Sequence, residues 1–422
     1  MPNAISNLLF IVYKSLRQYA LSTMIASFSV ALAAGLLMTV FVIKTQTYNA
    51  FTGGAFGFDA VLGARGSQLQ LVLNTVFHLE TSPGNIPWTL YQAIKSDPRV
   101  TLAIPYAVGD NYHGFRIVGT SDELFTEFEY QRGKKFQVKT GGRFFDSTKR
   151  EAVIGSFVAQ KEGLKIGDTF HPFHGVTFAE NMQHKEIYTV AGILKPTNSP
   201  SDKVVWIPID GMFRMEGHVL RGTGDEYKVN EGEEIPDAHK EVSAVMLKLK
   251  SPQTGFQLDQ TINKQGKVAT LAWPIGSVMA ELFNKIGWMN KVLAFIAYLV
   301  AIVASSSILA SVYNTINERR REFAILRALG AQKRIVFSAI VLECAAISGL
   351  GTLMGYGIFF MIMSISSVIV RSQTGVVLDI WQFNTILVIT PIVMIVLGAL
   401  AGILPAIKAY STDVATNIVP AS

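Results

Sequence analysis

Asn317–Gln332 reads N-E-R-R-R-E-F-A-I-L-R-A-L-G-A-Q and lies between two long apolar runs. Arg319, Arg320, Arg321, Arg327, Lys333 and Arg334 fall in or just after it. Basic residues beside membrane spans mark the cytoplasmic side, so this stretch is expected at the inner membrane surface. Phe323, Leu326, Leu329 and Gly330 recur at helical spacing beside Ile325, while Glu318, Arg321, Glu322 and Arg327 supply a charged face. The pattern predicts a short amphipathic helix with a carboxylate near its start and a glycine near its end. Such an element suits docking on a soluble partner, and it equally suits a solvated loop that only fixes topology.

Composition limits the surroundings. Hydrophobic residues make up 50% of the 422 and charged residues 16%, against roughly 25% charged in soluble domains. The deficit is local. Residues 44–281 hold 25 basic and 26 acidic residues, and the remainder holds 12 basic and 5 acidic. The positive excess therefore belongs to the membrane segments and their edges, which argues against nucleic acid as a partner. The single cysteine, Cys344, sits in an apolar run, so neither an intrachain disulfide nor a cysteine zinc site can form.

Lys14 and Arg17 precede an uncharged run from Tyr19 to Ile43, about 37 Å long as a helix and enough for a hydrocarbon core of about 30 Å. The run exceeds the apolar region of a cleaved signal peptide and predicts an uncleaved first span with its N-terminus inside. Residues 47–281 have ordinary soluble composition and predict a folded α+β domain outside. Ala152–Ile154, Ile187–Leu194, Val204–Ile209 and Val242–Leu249 read as strands. Ser67–Phe77 and Leu90–Ser96 read as helices. Thr47–Tyr106 and Phe256–Trp273 flank the strand-rich centre as if in two lobes, and Gly217–Glu234 reads as a mobile loop.

Three more spans follow: residues 282–316, with a helical extension on the outside, 333–370 after the cytoplasmic element of 317–332, and 384–422 with the tail, after a short outer loop at 371–383. Leu271–Tyr313 reads as one helix starting near Pro274 and weakened by Gly276 and Gly287. Gly351-x-x-x-Gly355 and Gly398-x-x-x-Gly402 suit close helix packing within the subunit. The fold class is an α-helical membrane protein with four transmembrane helices and a large extracytoplasmic α+β domain inserted between the first and second. Both termini are expected in the cytoplasm.

Catalytic signatures are weak. No G-x-x-x-x-G-K-[ST] occurs; Gly133-Lys134 and Gly266-Lys267 lack its spacing and hydroxyl, so the chain is expected to bind no ATP by a P-loop of its own. His171, His174 and His184 lie among Pro172, Gly175 and strand-like residues without a helical HExxH, which argues against a metal. Ser156 follows Gly155 without a nucleophile elbow, so no hydrolase or other enzyme is expected. Glu343, roughly two turns into the third span, is costly there and serves either a proton relay or a paired, bundle-facing role. The other spans lack the polar string, broken helices and repeat of a secondary transporter. A lone sensor would need a cytoplasmic output domain, for which about 19 residues before the first span and 15 after the last leave no room.

The whole arrangement resembles the permease subunit of the MacB/LolCE/FtsX group of ABC transporters. Asn317–Ala331 is similar to that family's "ERRREIGILRALGA" stretch. Gly142–Phe145 (GRFF), Glu151–Gly155 (EAVIG) and Leu164–Phe170 (LKIGDTF) resemble its "GRxF…EAVIG…LKVGD" run, and Phe58–Ser67 through Ile86–Pro87 resembles one subgroup. The resemblance implies a non-catalytic permease in the plasma (inner) membrane. Its coupling helix, through Glu318, Arg321, Glu322, Phe323, Leu326, Arg327, Leu329 and Gly330, would dock on a separate cytoplasmic P-loop ATPase. ATP and Mg would be bound by that partner and no cofactor by this chain. Two permeases, identical or not, would pair with two ATPases, and a periplasmic adaptor or lipoprotein could join. Mechanotransmission to the outer domain would export or extract an apolar, peptide or lipoprotein-type cargo. The alternative within the family is an FtsX-like signalling subunit that activates an envelope enzyme without moving cargo.

Overall fold

The uncharged runs become helices because a backbone in hydrocarbon must satisfy its own hydrogen bonds. The computed structural model describes residues 2–52, 57–216, 218–228, 234–328 and 330–410. Among these, four helices are long and apolar enough to cross a bilayer: Ala20–Thr52, Gly287–Thr315, Lys333–Thr374 and Ile386–Tyr410. The chain divides into two compact units, one of residues 1–46, 286–367 and 378–422, the other of residues 47–285 and 368–377.

In the first unit the third span is packed on two sides through small residues. A Cβ on Gly351 would stand 2.5 Å from the Val30 side chain and 2.7 Å from the Ser27 carbonyl, and one on Gly355 3.1 Å from the Ala34 methyl. On the other side Gly398 lies against Ser348 and Gly402 against Cys344. The glycines named from sequence thus seat helices within this chain. Lipid tails supply no hydrophobic drive between helices, so such close approach is how they gain van der Waals energy.

Several boundaries differ from the sequence reading. Pro2–Gln18 is a helix of its own, with Leu9, Phe10 and Tyr13 exposed. Leu271–Tyr313 is not one helix: Leu271 belongs to the strand Ala269–Ala272, a helix runs Ile275–Lys285, and a second starts at Gly287 after a turn at Ile286. Pro274 does mark the helical start. The third span continues through Thr374, into the region read as a loop.

The second unit is built on one sheet of ten strands among the described residues, in the order Ala269–Ala272, Ala60–Ala64, Ala244–Leu249, Val100–Tyr112, Phe115–Thr120, Val205–Pro208, Glu151–Ile154, Tyr188–Ile193 and Thr169–Phe170, with Phe173–His174 also paired to Val100–Tyr112. The two-lobe expectation fails because Ala60–Ala64 and Ala269–Ala272 join this same sheet. Both of its faces are covered. Along Glu151–Ile154, Ala152 and Ile154 enter one core and Val153 the other; along Val205–Pro208, Val205 and Ile207 oppose Trp206. Alternation sorts side chains between two cores, so each strand reads as a continuous apolar run. The helix Gln68–Thr75 is capped by Ser67, whose side chain accepts from the Gln70 N–H. Of the loop expected at Gly217–Glu234, residues 218–228 and 234 are described and carry a Val219–Glu226 bridge; Gly217 and 229–233 lie outside the described residues.

His78 stands edge-on to Trp206, ring centroids 6.0 Å apart, with its Nδ1 buried. Burial, with Arg116 and Lys203 adding, lowers its pKa to about 3. As pH falls below about 6.5 an unfolded histidine takes a proton that the folded one refuses, so this residue makes the fold lose stability progressively between about pH 6.5 and 3. Unfolding of the full chain in detergent, followed by tryptophan fluorescence, should show a shallower loss between pH 6.5 and 4 in His78→Asn than in the wild type; equal slopes would refute the assignment. The glycines give a second test. Gly351→Ala should lower the unfolding temperature of the detergent-purified chain, whereas Gly349→Ala, with nothing within 4 Å of its Cβ position, should leave it unchanged or raised. Equal effects would contradict the packing described.

Candidate functional site

The predicted amphipathic stretch divides at Arg319. The second span's helix ends at Glu318, and a separate helix, Arg320–Ala328, follows. Gly330 then adopts φ +96°, its N–H bonding the Arg327 carbonyl 3.0 Å away; this left-handed residue stops the helix at little steric cost because it has no Cβ. Asn317 and Glu318 therefore belong to the span rather than to the short helix. Ile325 is exposed and Ala324 buried, as one face in and one out requires. Leu329 lies outside the described residues, as do the side chains of Glu318, Arg321, Phe323 and Leu326.

Arg319 fixes where this helix starts. Its side chain is buried and donates through Nη1 to Glu343 Oε2 at 2.9 Å and to Ser15 Oγ at 2.7 Å. Ser15 Oγ donates in turn to Glu343 Oε1 at 2.5 Å. Arg319 Nε reaches Glu322 Oε2 at 3.4 Å, and Gln18 Nε2 donates to Glu322 Oε1 at 3.2 Å. The guanidinium also lies over the Tyr19 ring, 5.5 Å from its centroid. One arginine thus ties the N-terminal helix, the second span, the short helix and the third span. Both carboxylate oxygens of Glu343 are satisfied, as a buried ion pair demands. The structure places Glu343 in the paired, bundle-facing arrangement, and Glu322 faces partly toward the chain's own N-terminal helix. Sequence reasoning gave Arg319 only a topological role; that Glu343 is the sole acid of its span was the signal that a buried cation must lie nearby.

In the other unit the fold gathers histidines that the sequence reading dismissed as metal candidates. His174 and His184 come together with His218 around Asp110, whose Oδ1 lies 3.4, 3.3 and 3.2 Å from His174 Nδ1, His184 Nε2 and His218 Nε2. His171 is not part of the group; its ring nitrogen meets the His184 carbonyl. Asp110 is brought there by a bulge in Val100–Tyr112 that shifts the register between Val108 and Asp110, and it stands directly across from His174 in the neighbouring strand. Burial pushes the Asp110 carboxyl up, but the bonds from His174, His184 and His218 outweigh it and hold it below the usual carboxylate range. Asp110 raises the His174 pKa in return. The expectation of no metal site rested on the lack of a local motif, and this grouping, spread from 110 to 218, has none to read.

A family profile described as "MacB-like periplasmic core domain" matches residues 16–265, and one described as "FtsX-like permease C-terminal" matches residues 294–414. Among curated proteins, the chain is 23% identical over 382 residues to the pyoverdine export ATP-binding/permease protein PvdT of Pseudomonas fluorescens, covering 85% of this chain and 52% of that protein. It therefore spans about half the length of this relative. It is 22% identical over 313 residues to an uncharacterized ABC transporter permease of Methanocaldococcus jannaschii, covering 70% and 71%. Solved structures similar to it include the extracellular domain of the noncanonic ABC-type transporter YknZ from Gram-positive bacteria (18% identity, 50% of this chain and 97% of that one, TM-score 0.29) and the periplasmic region of MacB from Actinobacillus actinomycetemcomitans (10%, 55% and 94%, TM-score 0.33). With the first profile matching more than half of its length, four candidate spans and a large α+β domain after the first of them, the chain belongs to the MacB/FtsX family of ABC transporter permeases.

Proposed function

We propose that this chain is the non-catalytic permease subunit that converts ATP hydrolysis in a separate P-loop ATPase into movement of its periplasmic-core-like domain, exporting or extracting an apolar, peptide or lipoprotein-type cargo. The observation that carries the reading is the short helix Arg320–Ala328, held at its first turn by the Arg319–Glu343–Ser15 cluster. A docking helix transmits force only if its base is rigid. Here the base is a buried ion pair whose rupture would leave a charge unpaired, so a push on the helix moves the N-terminal helix and third span with it. That span is an unbroken helix of 42 residues, about 63 Å long against a hydrocarbon core of about 30 Å.

The ATPase would approach from the side on which the sequence places Arg320, Arg321, Arg327, Lys333 and Arg334 between two spans, the cytoplasm under the positive-inside rule. Phe323, Leu326 and Leu329 would fill its groove and Arg327 would add a charge-assisted contact. ATP and Mg would be held by that partner, two copies acting with two permeases. The printed name of the Pseudomonas relative, an ATP-binding/permease protein for pyoverdine export, supports pairing such a permease with an ATP-binding part and an export role.

Purification of the tagged chain from native membranes in mild detergent should retain a P-loop ATPase identified by mass spectrometry, and Leu326→Glu should lose it while keeping the wild-type unfolding profile. Equal retention by the variant would contradict docking through this helix. An envelope hydrolase retained in place of cargo-stimulated ATPase activity would replace export with signalling. The ion pair is tested separately. Glu343→Leu and Arg319→Met should each cost about 3–5 kcal/mol of stability by stranding the other partner, while the Arg319→Met/Glu343→Leu pair should recover most of that loss. Additive losses would mean the two residues act independently.

A further inference from the structure

We propose that Asp110, His174, His184 and His218 bind a divalent transition-metal cation of the Zn²⁺ class in the outer domain, closing it in a four-ligand shell. One ligand atom from each of the four residues lies within 4.8 Å of all the others. The three histidine nitrogens stand 3.2–3.4 Å from Asp110 Oδ1. With metal bonds of about 2.0–2.1 Å, a tetrahedral site has ligand atoms about 3.4 Å apart. The carboxylate-to-imidazole distances are already those of a tetrahedral edge. The rings surround the point evenly, their centroids 5.0, 5.3 and 5.4 Å apart, so modest closure of the histidines completes the shell.

The histidines hydrogen-bond the carboxylate in this structure, and two observations fit a cation taking the place of those protons. His184 Nδ1 lies 3.1 Å from the Glu216 carbonyl, which only accepts, so Nδ1 is a protonated nitrogen and Nε2, the nitrogen free to take a metal, is the one turned to Asp110. That is the orientation a metal ligand needs, fixed by an outer-shell carbonyl. Charge-assisted N–H···O bonds, moreover, are about 2.7–2.9 Å long, shorter than any of the three contacts. Asp110 is 0% exposed and its Oδ2 meets no donor among the described residues; a cation at Oδ1 would neutralise a carboxylate that is otherwise costly to bury. Imidazole with one carboxylate selects Zn²⁺-like cations over Ca²⁺ or Mg²⁺, which prefer all-oxygen shells.

Access exists from one side. His174 is 44% exposed, and with His218 it lines a cleft of about 330 Å³. With four protein ligands no position is left for a substrate, so the metal braces structure rather than catalyses. What it braces are the chain stretches that carry His174, His184 and His218 against the central strand that carries Asp110.

The full chain, purified in detergent through a histidine-free tag and stripped with chelator, is titrated with Co²⁺. The expected result is one equivalent bound with the intense visible absorption of tetrahedral Co²⁺, bleached by stoichiometric Zn²⁺. His174→Ala, at the exposed rim, should keep the wild-type circular dichroism and bind at least about 10-fold more weakly; His218→Ala gives an independent check. No saturable Co²⁺ or Zn²⁺ binding by folded wild type, or binding unchanged in both variants, would overturn the proposal.

Discussion

A charge buried among apolar helices is tolerable only when its partner is fixed beside it, and the membrane unit is arranged around one such pair. Arg319 and Glu343 meet at 2.9 Å with Ser15 bridging them. Their attraction is strong because little water screens it, and for the same reason neither can be removed alone. The pair makes a junction of four helices from segments far apart in sequence and decides where the second span stops and the short helix starts. The glycine contacts of the third span with Val30, Ala34, Ser348 and Cys344 set how closely the helices approach; the ion pair sets their register along the axis.

The outer domain solves a different problem. Its sheet is covered on both faces, so polar side chains facing either core need dedicated partners. Most are absent from the strand interiors, where Val, Ile, Ala and Leu alternate between the two cores. Asp110 is the buried carboxylate among the few polar residues there, which also include Asn111, Arg116, Thr120 and Thr270. A bulge turns it inward, three histidines converge on it, and the sheet carries a carboxylate at 0% exposure. Local sequence that breaks the rule of an apolar strand interior is where a site is expected.

The four spans, the strands Glu151–Ile154 and Tyr188–Ile193, and the helix Gln68–Thr75 were legible because each is encoded locally, by a long or short apolar run or by residues of helical character. The central strand Val100–Tyr112 was not, since Pro105, Gly109, Asp110 and Asn111 suppress the usual strand pattern and only its neighbours hold it extended. The helix break at Ile286 was missed because no proline marks it. Neither cluster was readable: Arg319 and Glu343 are 24 residues apart on different helices, and Asp110 and His218 are 108 apart. Side chains joined by long-range topology leave no periodic trace, and for Glu343 only the oddity of an acid in a span pointed to its partner.

The account stands on the short helix being the surface through which ATP-driven work enters. Ile325 is exposed on it and the native Cys344 is buried, so Ile325→Cys carrying a thiol-linked photocrosslinker reports directly on what that face touches. Illumination of native membranes should yield one major adduct whose partner peptides contain a P-loop, and the adduct should change in yield when nucleotide is added. Adducts with lipid alone, or with no P-loop protein while the chain is folded and abundant, would contradict the account and leave the helix as a topological anchor.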